Sequence, residues 1–143
     1  MQVKEAMNKN VKATRPDTTI REAAKTMTEN RIGSLVIVSP AGNVIGILTE
    51  RDILMDVVVE GKDPRKTTAN EIMTKDVITI TPDETLEDAA DLMTRNKIKK
   101  LPVVEDDVLI GIVTASDLVK YERALLERIS ELISHSPTTG FGG

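Results

Sequence analysis

The sequence predicts an α/β fold made of two similar β-α-β-β-α repeats packed as one body about a pseudo-two-fold axis. Three observations predict it: the chain repeats itself at a fixed spacing, each copy passes through helical and strand patterns in the same order, and the single break in the spacing falls in a turn.

The duplication is direct. Met7 and Pro16 recur as Met73 and Pro82, a shift of 66, and Ala23, Ala24, Met27 and Leu35 recur as Ala89, Ala90, Met93 and Leu101. Past the turn at Pro40–Asn43 the shift falls to 65, so that Gly46, Thr49 and Asp52 match Gly111, Thr114 and Asp117. A second hairpin shorter by one residue explains the gap.

Each copy opens with a short amphipathic turn, Val3–Met7 or Ala69–Met73, followed by a β-branched stretch, Val11–Thr14 or Val77–Thr81, which predicts a strand. Pro16 and Pro82 break the chain. Ile20, Ala23, Ala24 and Met27 then share one helix face, as do Leu86, Ala89, Ala90 and Met93, with Thr19/Glu22 and Thr85/Asp88 as capping boxes. Two strands follow, Ser34–Val38 and Val44–Leu48 in the first copy, Leu101–Val104 and Leu109–Val113 in the second, each pair joined by turn-forming residues. A second helix starts near Thr49 or Thr114. The last helix continues over Leu118–Ser134 with an apolar stripe that packs on its own repeat or on a second chain, and Pro137 stops it. The expected divisions are 1–60 for the first repeat, 61–68 for a linker, 69–122 for the second repeat, and 123–143 for a C-terminal helix and disordered tail.

Composition excludes several classes of function. The 143 residues hold no Cys and one His, so thiol chemistry, zinc hydrolysis and Ser/His catalysis lack raw material, and no catalytic residues and no metal site are expected. Tyr121 and Phe141 are the only aromatic residues and the net charge is −4, which argues against nucleic-acid binding by base stacking or by a basic field. No apolar run approaches the roughly 18 residues of a membrane span, and no signal-like segment opens the chain, so a cytoplasmic protein is expected.

Chemistry concentrates in Gly46-Ile47-Leu48-Thr49-Glu50-Arg51-Asp52 and its copy Gly111-Ile112-Val113-Thr114-Ala115-Ser116-Asp117. In each, a buried strand runs into Thr-x-x-Asp where a helix begins. A helix start offers N–H groups and partial positive charge to a phosphate, and a carboxylate there can accept from both hydroxyls of a ribose. The same spacing is a capping box, and both readings stand at this level.

As a set, Met7/Met73, Pro16/Pro82 before the Ala-Ala helix, Ile98-Lys99-Lys100-Leu101-Pro102-Val103-Val104 and the two Gly-x-x-Thr-x-x-Asp closings resemble the cystathionine β-synthase (CBS) domain in its tandem form, the Bateman module. The likeness covers about residues 1–122. It implies a pseudo-two-fold CBS pair that binds AMP, ADP, ATP or S-adenosylmethionine in clefts between the repeats as a regulatory ligand, with no other cofactor. Carried over, Asp52 and Asp117 hold ribose, with Thr49 and Thr114 beside sugar or phosphate. Lys99 and Lys100 follow Ile98 where one member of the family, the γ subunit of AMP-activated protein kinase, often has phosphate-contacting His and Arg; Gly33 and Ser34 follow Ile32 in the first copy. Arg51 stands where the second copy has Ser116. Ile32, Ile98, Ala23 and Ala89 are candidates for the adenine pocket and, equally, for plain core. The resemblance implies a regulatory module, not an enzyme, acting on an effector protein and pairing as a homodimer; the alternative is a ligand-free assembly scaffold.

Overall fold

The computed structural model describes residues 1–134; the stop at Pro137 and the tail expected after it lie outside them. The first repeat contains β1 (Ala13–Thr14), α2 (Ile20–Glu29), β2 (Ser34–Val38), β3 (Val44–Thr49) and α3 (Glu50–Ile53), which runs on as a π-helical stretch, Leu54–Val59. Before it lies α1 (Val3–Ala6). The second repeat contains α4 (Ala69–Ile72), α5 (Leu86–Asn96), β4 (Lys100–Glu105), β5 (Val108–Thr114) and the 20-residue α6 (Ala115–Ser134).

Local chemistry explains the helix starts. The Thr19 hydroxyl accepts the Glu22 N–H at 3.2 Å, and Thr85 and Asp88 close a reciprocal capping box at 3.0 and 3.1 Å. The inter-repeat segment also serves α2: the N–H groups of Ile20 and Arg21, orphaned at the helix start, donate to the carbonyls of Thr67 and Pro64. It begins at Gly61, whose φ of +71° lets Lys62 N–H reach back to the Val57 carbonyl and end the π-helical stretch.

The strands pair as β1-β2-β3 and β4-β5, antiparallel within each hairpin and parallel between β1 and β2. The first strand is shorter than the sequence predicts, and in the second repeat it reduces to one parallel bridge, Ile80 to Val103. Pro102 gives the reason. Val104 N–H donates to the Ile80 carbonyl, and Pro102, two residues earlier and facing the same way, has no N–H to extend the ladder.

Two cores form, and each borrows from the other repeat. Ala69, Ile72 and Met73 of the second opening turn pack with Ile20, Ala23, Met27, Leu35, Ile37 and Leu48. Val3 of the first packs with Ile80, Ala89, Met93, Leu101, Val103 and Val113. The opening turns are thus exchanged, which the sequence repeat does not predict. Backbone bridges fix the exchange symmetrically: Asn8 pairs with Ile112 and Ile47 with Thr74, while Gln2 pairs with Thr85 and Thr19 with Thr68. Full burial of each larger exchanged side chain contributes about 1.5–3 kcal/mol.

Candidate functional site

At both strand-to-helix junctions the capping geometry is complete. Thr49 is the extended residue before α3, and its hydroxyl accepts Asp52 N–H at 3.1 Å while Asp52 Oδ2 accepts Thr49 N–H at 3.0 Å. Thr114 and Asp117 repeat this at 3.1 and 2.9 Å. A carboxylate here complements the positive helix end. The caps also use most of the N–H groups that a phosphate would need. Glu50 N–H donates to the Gly33 carbonyl at 3.1 Å and Ala115 N–H to the Lys99 carbonyl at 2.8 Å. The helix starts therefore offer less free N–H surface than the sequence suggests, and an anion must draw mainly on side chains.

The exchange places a residue of the opposite repeat beside the first junction. Thr74, after Met73, donates its hydroxyl to the Asp52 carboxylate at 3.3 Å to Oδ2 and 3.4 Å to Oδ1. Its counterpart Asn8 follows Met7 and bridges Ile112, but makes no such bond to Asp117 among the described residues. Sequence reasoning missed both positions as site residues. The signal was present, since each directly follows the repeated Met, but the repeat alone assigns them to the wrong half of the molecule. The neighbouring glycines have a role of their own: the Met73 sulfur lies where a Cβ on Gly46 would be, and the Met7 sulfur would stand 2.9 Å from one on Gly111.

The remaining polar candidates gather at the same end of the hairpins. Ser34 is the ladder partner of Thr49, and Lys100 that of Thr114. The two repeats meet there directly, Lys100 Nζ donating to Ser34 Oγ at 3.1 Å. Gly33 and Ser34 are half-buried and Lys100 is half-buried, whereas Lys99, Arg51 and Ser116 are exposed. Among the adenine candidates, Ile32 and Ile98 lie partly buried at the edges of the two cores. Ala23 and Ala89 are a correction: each is 0% exposed within its core, so neither has surface to give a ligand in this structure. The second alanine of each pair differs: Ala24 is half-buried and Ala90 is exposed, so only the first of each pair is spent on packing.

Three cavities adjoin these elements. One of about 550 Å³, between α2 and α3, is lined by Met27, Arg31, Ile32, Gly33, Glu50 and Ile53 and touches the candidate set at Ile32 and Gly33. The other two, of about 490 and 670 Å³, involve none of the candidate residues. Among the described residues no group of three or more His, Cys, Asp or Glu is placed to hold a metal ion, and no helix is long and apolar enough to cross a membrane.

Two like repeats joined by exchanged turns, each closing in Thr-x-x-Asp beside its partner, define a tandem pair of like domains. The CBS domain family model matches residues 3–58 and 69–124, and the chain belongs to the CBS-domain family. It is 43% identical over 117 residues to a protein of Methanopyrus kandleri, covering 81% of this chain and 60% of that one. It is 39% identical over 108 residues to the mitochondrial CBS domain-containing protein CBSX3 of Arabidopsis thaliana, covering 73% and 52%. The chain thus spans somewhat over half the length of these relatives. Among solved structures, the CBS domain pair of protein MJ0100 in complex with 5′-methylthioadenosine and S-adenosyl-L-methionine is similar at a TM-score of 0.76 and 32% identity, over 87% of this chain and 98% of that one.

Proposed function

We propose that this chain is a regulatory module that binds an adenine-containing ligand (AMP, ADP, ATP or S-adenosylmethionine) in clefts between its two repeats and passes occupancy on as a shift in their arrangement. The observation that carries the reading is the Asp52–Thr74 contact: a carboxylate at a helix start in one repeat faces a hydroxyl from the other, so a ligand at that carboxylate touches both repeats. A ligand that favours one arrangement of the repeats then shifts the population toward it. The complex of the similar MJ0100 pair with two adenine compounds supports the ligand class. In this reading Asp52 and Asp117 hold ribose, Thr49, Thr114, Arg51, Ser116, Lys99, Lys100, Gly33 and Ser34 frame sugar and phosphate, and Ile32 and Ile98 border the base. The module is not itself an enzyme; its effector is a separate protein or a further segment.

A thermal-shift screen of the full chain against adenosine, AMP, ADP, ATP, 5′-methylthioadenosine and S-adenosylmethionine tests it. Selective binding to the native state raises the melting temperature; at a hundred times Kd the gain is about 2.7 kcal/mol. At least one adenine compound is expected to raise it, with guanosine and cytidine counterparts inert. No shift with any of them would leave the assembly scaffold as the better reading.

The module is also proposed to work as a homodimer. Leu54, Met55, Val58 and Val59 on the π-helical stretch and Val119, Leu125, Leu126, Ile129, Leu132 and Ile133 on α6 are all exposed, by 42–76%. Apolar side chains left in water on helix faces of both repeats favour a second copy, whose interface needs on the order of 800 Å² per partner.

A further inference from the structure

Ser34 and Lys100 hold equivalent positions in the two repeats, and they touch. A contact between equivalent residues lies on the axis that relates the repeats. Asn43 and Val108, also equivalent, form a backbone bridge and mark a second point on that axis. The Lys100 ammonium, 3.1 Å from Ser34 Oγ, is therefore central. It is one ladder pair from each junction: Ser34 faces Thr49 and Lys100 faces Thr114. None of the three ion pairs among the described residues involves it. An ammonium has three N–H donors and the Ser34 hydroxyl takes one, on a flexible four-carbon stem that can lean either way. The first repeat supplies a neutral Ser34 where the second supplies a cation, so one half-buried positive charge lies between the two junctions, while Arg51 and Lys99 are exposed.

We infer that Lys100 is shared by both clefts, so that a phosphate-bearing ligand binds at full strength in only one of them at a time, while an uncharged nucleoside is indifferent to it. The inference rests on the adenine reading above. The Ser34 hydroxyl holds the ammonium on the axis. A phosphate in either cleft draws it off, and a second phosphate is left with only the exposed Arg51 or Lys99, whose charge water screens.

The test isolates each cleft in the full chain. Asp52→Asn weakens the first and Asp117→Asn the second, and both keep the helix cap because Asn caps well. Isothermal titration of each variant with AMP and with adenosine reads the preference for phosphate in the cleft that remains. Sharing predicts a preference of about tenfold or more in both variants, as expected for one charge-assisted hydrogen bond. Lys100→Met, which keeps the apolar stem, abolishes it in both, and Lys100→Arg retains it. In the unmutated chain the second AMP binds with the preference lost. A preference confined to one single-cleft variant would assign Lys100 to one cleft and overturn sharing, as would a preference that survives Lys100→Met. If adenosine binds but AMP shows no preference anywhere, this inference alone fails. If neither compound binds, the adenine reading fails and takes this one with it.

Discussion

Asp52 and Asp117 do two jobs with one carboxylate. As caps they satisfy Thr49 and Thr114 N–H groups; as proposed ribose acceptors they keep a second set of lone pairs for a ligand. The caps were legible from Thr-x-x-Asp alone, because that spacing is local. Thr74 was not, because its contact with Asp52 depends on an exchange of segments across 22 positions that no periodicity reports. Ala23 and Ala89 show the opposite error: small size suits a base pocket and a helix-sheet seam equally, and only burial separates them. The glycines carry a residue-scale prediction. A Cβ on Gly111 would stand 2.9 Å from the Met7 sulfur and 3.0 Å from the Asn8 carbonyl oxygen, which accepts the Ile112 N–H. The thioether can swing aside, but the backbone oxygen is held by its bridge. Gly111→Ala is expected to cost about 1–3 kcal/mol in urea unfolding. An unchanged midpoint would mean that the exchanged turn is loosely seated.

Element boundaries follow local chemistry where it is strong and tertiary contact where it is not. Ser34–Val38 forms a strand over the predicted span, framed by turn residues, and the remaining hairpin strands extend by only one residue at one or both ends. The first strand of each repeat contracts instead, since its ladder depends on a distant partner and, in the second copy, that partner strand carries Pro102, which has no N–H to extend the ladder. The ends of α2 and α5 carry an unused margin of stability. Arg31 and Lys97, again equivalent, adopt φ of +53° and +54°, a left-handed conformation that side chains with a Cβ resist and glycine accepts. Lys97→Gly is expected to stabilise the chain by about 0.5–1 kcal/mol, offset in part by the greater entropy of an unfolded glycine. Chemical denaturation measures it; a loss of stability would show that the Lys97 side chain makes contacts worth more than the backbone strain.

At the scale of the whole molecule, the exchange of opening turns makes the repeats interdependent. Each core is completed by the other half, so a ligand at the proposed sites would be coupled to the packing of both repeats through the same segments. The tandem architecture was legible from the duplication, and the CBS resemblance implied where the chemistry sits, but neither showed that equivalent residues meet on the axis. The proposed dimer rests on the exposed apolar faces of the π-helical stretch and α6. Sedimentation equilibrium is expected to return twice the chain mass at micromolar concentration, and Leu126→Glu with Ile129→Glu to return a monomer if α6 forms the contact. A monomer before any substitution would contradict the proposed pairing.

The central claim is that the two Thr-x-x-Asp junctions are ligand sites as well as caps, and calorimetry on the double variant Asp52→Asn/Asp117→Asn tests it most directly. Each charge-assisted hydrogen bond lost at a ribose is worth roughly 1.5–3 kcal/mol, so affinity for the adenine compound found by thermal shift should fall about ten- to a hundredfold in each cleft. The ligand-free melting temperature should barely move, because Asn retains the cap. Undiminished affinity with an unchanged melting temperature would show that both carboxylates are caps alone and would contradict the account.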